Sequence, residues 1–308
     1  MRKISKEQQF EAVKGWWNSE QVNKWDKQYD DWDPHTVRSL NRRLEKILIF
    51  VDELKFANGS KVLELGYGAG QTALKMGQRG LEVHGIDLSN NLCAIANERC
   101  RNECPDGKFF LKTGDIESKF DYKDNTFDLV IVSGVFHYLY NHDYCTSEIN
   151  RVLKSGGHLI IGQRTSYSLN ISTFRTFFRS CIYFIFREKY ELFPSYKSIL
   201  CDSKLGYFFD RYRDTNFFNS NFMLKGHDRW KYKLKKNLYS NGRLKSLCKR
   251  NGIDPIKLTG AYYAISENPK YYNLNLMIDD FFEKLTKIIF FRFLYRLSRI
   301  TVLLGQKK

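Results

Sequence analysis

The chain reads as an α/β protein built on a parallel, doubly wound sheet. Three observations predict this. Apolar β-type runs alternate with helical periods over residues 58–164. The first run, Val62-Leu63-Glu64-Leu65, ends in a turn with glycine at alternate positions, Gly66-Tyr67-Gly68-Ala69-Gly70. The second run ends in an acid, Asp87. Strands that alternate with helices pair in parallel, because each helix carries the chain back across a sheet face.

The elements follow in order. Residues 1–57 form an N-terminal helical extension. Its first 35 residues hold Trp16, Trp17, Trp25, Tyr29 and Trp32, and Val37, Leu40, Leu44, Ile47, Leu48, Val51 and Leu54 then recur at helical spacing over 36–57. The core reads as strand 62–66, helix 70–79, strand 82–87, helix 90–103, strands 108–112 and 128–133, helix 143–153 and strand 157–163. Ser240 opens a helix that Gly252 ends. Residues 253–265 alternate like a strand, and 299–307 form a last one. Two stretches fall outside this pattern, a cap insertion at 165–238 and a basic amphipathic insertion at 267–297 within the final segment 239–308.

The glycine turn and Asp87 carry the chemistry. Glycine at a strand-to-helix turn bends the backbone sharply and lets a ligand approach where a Cβ would stand. A carboxylate ending the next strand suits a ribose diol, since each oxygen accepts hydrogen bonds. NAD binds such units through G-x-G-x-x-G. Here the spacing is G-x-G-x-G and position 71 is Gln71, so the third dinucleotide glycine is missing.

Glu64-Leu65-Gly66-Tyr67-Gly68-Ala69-Gly70 resembles motif I of the class I S-adenosylmethionine-dependent methyltransferases. Lys112 to Glu117 resembles that family's third acidic loop, Asn125 to Ser133 its fourth strand, and Leu153-Lys154-Ser155-Gly156-Gly157 the turn into its fifth. Ser155 replaces a usual proline, and Tyr67 stands where the family often has a small or polar residue. The resemblance implies a Rossmann-like, seven-stranded sheet with an antiparallel C-terminal hairpin. It also implies S-adenosyl-L-methionine as cofactor. Gly66, Gly68 and Gly70 would then approach its methionyl part, Glu64 its amino group, and Leu88 its adenine. Asp115 and Ile116 would meet the adenine edge. Ser133, Gly134, Phe136 and His137 would face the methyl, with His137 either a general base or a residue that orients substrate. Tyr29 and the nearby tryptophans either close over the cofactor as a lid or pack on the sheet.

Charge is uneven. Residues 1–164 hold 23 Lys and Arg against 23 Asp and Glu, whereas 165–308 hold 27 against 11, which accounts for the whole net charge of +16. Such a field concentrates anionic partners. Basic aromatic stretches at 173–187 and 278–299 suit a membrane interface or a lipid-bearing substrate, or else pack their apolar faces together with charges outward. The expected acceptor is small, or lipid- or glycan-linked, and anionic; nucleic acid ranks below it, since no base-reading module appears. Seven cysteines without a C-x-x-C pair, and a start without an apolar h-region, predict a reducing, cytoplasmic setting, with the inner membrane face as an alternative. No metal-ligand spacing is found. An NAD-dependent oxidoreductase and a non-catalytic scaffold of the same fold remain the competing readings.

Overall fold

The structure, a computed structural model, describes residues 5–18, 29, 33–165, 239–264, 269–288, 294–295 and 297–308. The expected cap at 165–238 therefore lies outside the described residues except for Thr165, as do Trp25 and Trp32.

Helix α1 (Lys6–Trp17) and helix α2 (Pro34–Leu54) precede the sheet. Asp33 caps α2, its carboxylate accepting from Thr36 N, and Pro34 occupies the first helical position, where no N–H is needed. There follow β1 (Lys61–Leu65), α3 (Gln71–Gly77), β2 (Glu82–Asp87), α4 (Asn90–Glu103), β3 (Phe109–Thr113), β4 (Phe127–Ser133), α5 (His142–Val152) and β5 (Leu153–Arg164). Helix α6 (Asn241–Arg250), β6 (Ile253–Tyr262), α7 (Tyr272–Lys287) and β7 (Ile300–Lys307) complete the described chain. The predicted boundaries hold to within a few residues. The largest early difference is β5, which begins at Leu153 beside Phe127, because an irregular register there adds Leu153 to Gly156 to the strand.

The seven strands lie in the order β3-β2-β1-β4-β5-β7-β6. All pairs up to β5 are parallel, and β7 runs antiparallel to both β5 and β6. The sheet is thus the Rossmann-like, doubly wound one expected, with the antiparallel hairpin at its edge. Alternate residues feed opposite faces. Val62, Val83, Leu111, Leu129, Ile131 and Ile160 pack under α2, α3 and α4. Leu63, Leu65, Ile86, Val130, Val132 and Ile161 pack under α5 and α6.

Register sets the site. Leu65 pairs with Ile86 on one side and Val132 on the other. The segments after β1, β2 and β4 therefore emerge at one rim, where the strand order reverses. Open α/β sheets bind ligands in that crevice.

Helix α7 departs from expectation. Its acids Asp279 and Glu283 are buried against α2, and Leu274, Met277 and Phe281 point outward. The reason is on α2: Arg38 and Arg42 both donate to Asp279, and Lys46 pairs with Glu283. Among the described residues, no helix is long and apolar enough to cross a membrane.

Candidate functional site

The glycine turn is built by close packing on two sides and left open on the third. Gly66, Gly68 and Gly70 all have positive φ, at 70°, 56° and 83°. A Cβ on Gly66 would fall 2.1 Å from Val135 Cγ2, beyond β4, and one on Gly70 would fall 2.9 Å from Ala96 Cβ of α4. A Cβ on Gly68 would meet nothing within 4 Å. Two glycines therefore serve packing, and only Gly68 borders open space. Arg99 of α4 donates to the Ala69 carbonyl and clamps the turn from outside.

This contrast yields a paired prediction. Gly66→Ala is expected to lower stability by about 2–4 kcal/mol, from positive φ and overpacking together. Gly68→Ala should cost only about 1 kcal/mol for its φ, yet abolish most binding of S-adenosylhomocysteine. Thermal melts and ligand titration separate the two effects; normal binding by Gly68→Ala would show that the open side of the turn is not the ligand side.

Asp87 organises the rim. One carboxylate oxygen accepts from Gly68 N at 2.9 Å and the other from Ser89 N at 2.9 Å. Burial pushes its pKa up, while the N–H groups of Ser89, Gly68 and Leu88 oppose the shift. Each oxygen keeps a further lone pair for a ligand hydroxyl. The loop after β3 joins the same rim, since Gly114 N donates to the Asp87 carbonyl at 2.8 Å. Ile116 is buried there, and Asp115 Oδ1 accepts from Glu117 N at 2.8 Å, a local turn contact. Leu88, half-buried, follows Asp87 directly.

Glu64 is fully sequestered at 2% exposure, and its Oε2 has no hydrogen-bond partner. Burial pushes its pKa up to about 8, against the Thr72 hydroxyl; the charge of Asp87 raises it further and that of Arg43 lowers it. Arg43 went unnoticed in the sequence reading. It lies on α2, 9% exposed, with its stem across Gly162 of β5 and its guanidinium over Gly134, just past β4. A Cβ on Gly134 would come 2.6 Å from Arg43 Nη1. Arg43 Nε also lacks a partner. The signal was available: Arg43 falls between Leu40, Leu44 and Ile47 on the buried stripe of α2.

Ser133, half-buried, ends β4 beside Gly134, whose N–H donates to the Gly162 carbonyl at 2.7 Å. His137 is buried in a short 3-10 turn, Phe136–Tyr138, with its ring 4.2 Å from that of Tyr138. Tyr29 is tied to α2, its carbonyl accepting from Asn41 Nδ2 at 2.9 Å. Among the described contacts it is not joined to the glycine turn. Helix α1, of the same N-terminal extension, lies over the rim. The Trp17 carbonyl accepts from Ser89 Oγ at 2.6 Å, Gln9 donates to the Tyr138 carbonyl at 3.1 Å, and Lys6 reaches the Glu117 carbonyl at 3.3 Å. Helix α1 thus bridges the loops after β2, β3 and β4, and Trp17 packs against Ala69 and Leu92.

Tyr67 is a core residue. It is buried over Gly85 of β2, where a Cβ would come 2.5 Å from its ring, and its hydroxyl donates to the Lys112 carbonyl at 3.2 Å. The residue that departs from the usual turn is therefore matched by a missing side chain on the next strand.

Residues 63–161 match the family model described as "Methyltransferase domain". Over 132 residues the chain is 31% identical to phosphoethanolamine N-methyltransferase 2 of Caenorhabditis elegans, covering 42% of this chain and 30% of that protein. Over 140 residues it is 28% identical to a demethylmenaquinone methyltransferase of Leptospira interrogans, covering 45% of this chain and 56% of that one. The chain spans about a third to about half of the length of these relatives. Among solved structures, magnesium protoporphyrin IX methyltransferase from Synechocystis with bound SAH aligns with a TM-score of 0.59 at 12% identity, over 97% of this chain and 100% of that one. That likeness is one of fold. Family model, relatives, strand order and glycine turn agree in one direction: residues 63–161 match a methyltransferase domain, and the fold is that of the solved methyltransferase structures.

Proposed function

We propose that the chain transfers a methyl group from S-adenosylmethionine to a small or lipid-linked acceptor. The observation that carries the cofactor half is the burial of Glu64 and Arg43 near one another with unpartnered polar atoms. Both are buried at the rim and each bears an unpartnered polar atom; Arg43 is cationic, and Glu64, its pKa raised to about 8, becomes an anion when a cation arrives beside it. Leaving such atoms unpaired costs about 1–3 kcal/mol each, more for charged groups. The methionyl end of S-adenosylmethionine is a zwitterion that satisfies both, its ammonium at Glu64 and its carboxylate at Arg43. NAD has no such amino-acid end. Asp87 takes the ribose hydroxyls, Leu88 and Ile116 border the adenine, Asp115 meets its edge, and Gly68 admits the sulfur-bearing chain.

Bound there, S-adenosylmethionine supplies an electrophilic methyl on a sulfonium whose departure is neutral. The chain's own residues then have mainly to hold the acceptor in line and exclude water. Helix α1 covers the rim for the second task. Ser133, at the end of β4, and His137, past it, border the acceptor side, and His137 removes a proton where the acceptor nucleophile carries one.

The relatives' names support the acceptor class, one acting on phosphoethanolamine and one on demethylmenaquinone. The basic second half supports an anionic one. Incubation with methyl-labelled S-adenosylmethionine and fractionated cell extract tests this. Label is expected in the lipid-extractable or small anionic fraction; label only in protein or nucleic acid would refute the acceptor class. S-adenosylhomocysteine binding without label anywhere would favour a scaffold.

A further inference from the structure

Helix α7 is amphipathic in the reverse sense to an ordinary surface helix. Its inward face is polar: Asn275, Asp279 and Glu283 are all buried. Asp279 accepts from Arg38 and Arg42 at 2.9 and 3.0 Å and from Tyr263 N at 3.1 Å. Its outward face carries Leu274, Met277 and Phe281, at 43%, 70% and 58% exposure, and Ile288, 53% exposed, follows just past its end. At 100° per residue the three helical ones lie within one narrow stripe, opposite the buried acids. The fold does not need them there, because α7 is held to α2 by charge and by the stacking of Phe282 on Tyr263. Contiguous apolar surface of this kind marks an interaction site.

The charge around the stripe says what it meets. The acids of α7 are spent on α2, since Asp280 pairs with Arg38 and Arg42 and Glu283 with Lys46. Asp280 stays 54% exposed beside those arginines, and the other outward charges of α7 are cationic. Lys284 borders the stripe, and Lys287, 74% of its side chain exposed and 4.0 Å from Glu283, stands farther round the helix. From Lys284 to Arg299 the sequence has five basic residues and no acid. Apolar groups within a cationic rim suit the interface of an anionic bilayer.

The placement suits a role. Contacts of α7 with α2 advance together, from Asn275 at His35 through Asp279 at Arg38 and Arg42 to Glu283 at Lys46, so the helices run side by side in one direction. Helix α2 also delivers Arg43 to the rim. The apolar stripe therefore starts at the same edge of the sheet as the candidate site.

We propose that the outward face of α7 docks the protein on an anionic lipid surface. Delivery of a lipid-linked acceptor to the rim rests on the methyl-transfer reading; the docking does not. Vesicle co-sedimentation of the full chain tests it. The protein should bind phosphatidylserine-containing vesicles at low salt and pure phosphatidylcholine far more weakly. Met277→Glu with Phe281→Glu should weaken binding at least about tenfold, with thermal melting and S-adenosylhomocysteine binding unchanged. Lys284→Gln should reduce the salt dependence. Should the double glutamate variant fold poorly, Leu274→Ser with Met277→Ser is used in its place. Absence of binding at low salt overturns the proposal. So does equal binding by the variants, which would assign the attraction to diffuse positive charge. A wild-type dimer that the variants dissociate also overturns it, making the stripe an interface between copies.

Discussion

Asp87→Ala is expected to lower affinity for S-adenosylmethionine and S-adenosylhomocysteine by about two orders of magnitude, while the domain still folds. Two losses combine. The ribose hydroxyls lose a charge-assisted acceptor, worth about 1.5–3 kcal/mol. The N–H groups of Gly68 and Ser89 lose their shared anchor, so the glycine turn and the start of α4 are no longer held at a common distance. The fold survives because Ser89 Oγ still caps α4 through Leu92 N at 3.2 Å, and β2 keeps its partners on both sides. Calorimetric titration and a thermal melt check both halves. Unchanged affinity would show that Asp87 only braces the turn.

Glu64→Gln is expected to change how ligand binding and stability respond to pH. The carboxyl's pKa of about 8 in the ligand-free fold stands far above its ordinary 4.5, chiefly through burial. The folded state therefore binds this proton more tightly than the unfolded one. Its stabilising effect is complete below pH 4.5 and is lost as pH rises towards about 8, by an amount on the order of a few kcal/mol. Glutamine should flatten that dependence and make the ligand-free protein more stable at pH 8 and above. A ligand ammonium beside Glu64 pulls the pKa down, so binding at neutral pH should release a proton. Titrations in buffers of different ionisation enthalpy measure this release. It should vanish in Glu64→Gln, together with at least about tenfold of the affinity at pH 8; an unaltered proton release would place the ammonium elsewhere.

Much of this site was legible before the structure because its logic is local. Gly66 to Gly70, Asp87 and the β4 terminus each announce themselves by residue type at a strand end, and parallel register then brings them to one rim. What sequence missed depends on partners far along the chain. Arg43 reads as one base in a helix until Gly134 and Gly162 are seen to leave it room. The acids of α7 read as ordinary solvated charges until Arg38 and Arg42, 241 and 237 residues away from Asp279, are seen to bury them. Of the tryptophans near Tyr29 that suggested a lid, Trp17 sits at the end of α1 and packs on Ala69 and Leu92, while Gln9 and Ser89 tie α1 to the rim through contacts that carry no composition signal. The roles proposed for Leu88, Asp115, Ile116, Ser133 and His137 are those the family resemblance implies, and each is open to the same substitution tests.

The central claim is that the Glu64–Arg43 pair reads the amino-acid end of an adenosyl ligand. Titration of the purified chain and of Arg43→Met with S-adenosylhomocysteine, 5′-methylthioadenosine and NADH tests it most directly. The wild type should bind S-adenosylhomocysteine with one site and at least about 100-fold more tightly than 5′-methylthioadenosine, which lacks the amino-acid end, a difference of about 2.7 kcal/mol. Arg43→Met should erase most of that difference, and NADH should not compete. Equal affinity of the wild type for the two adenosyl ligands, or tight NADH binding without S-adenosylhomocysteine binding, would contradict the account.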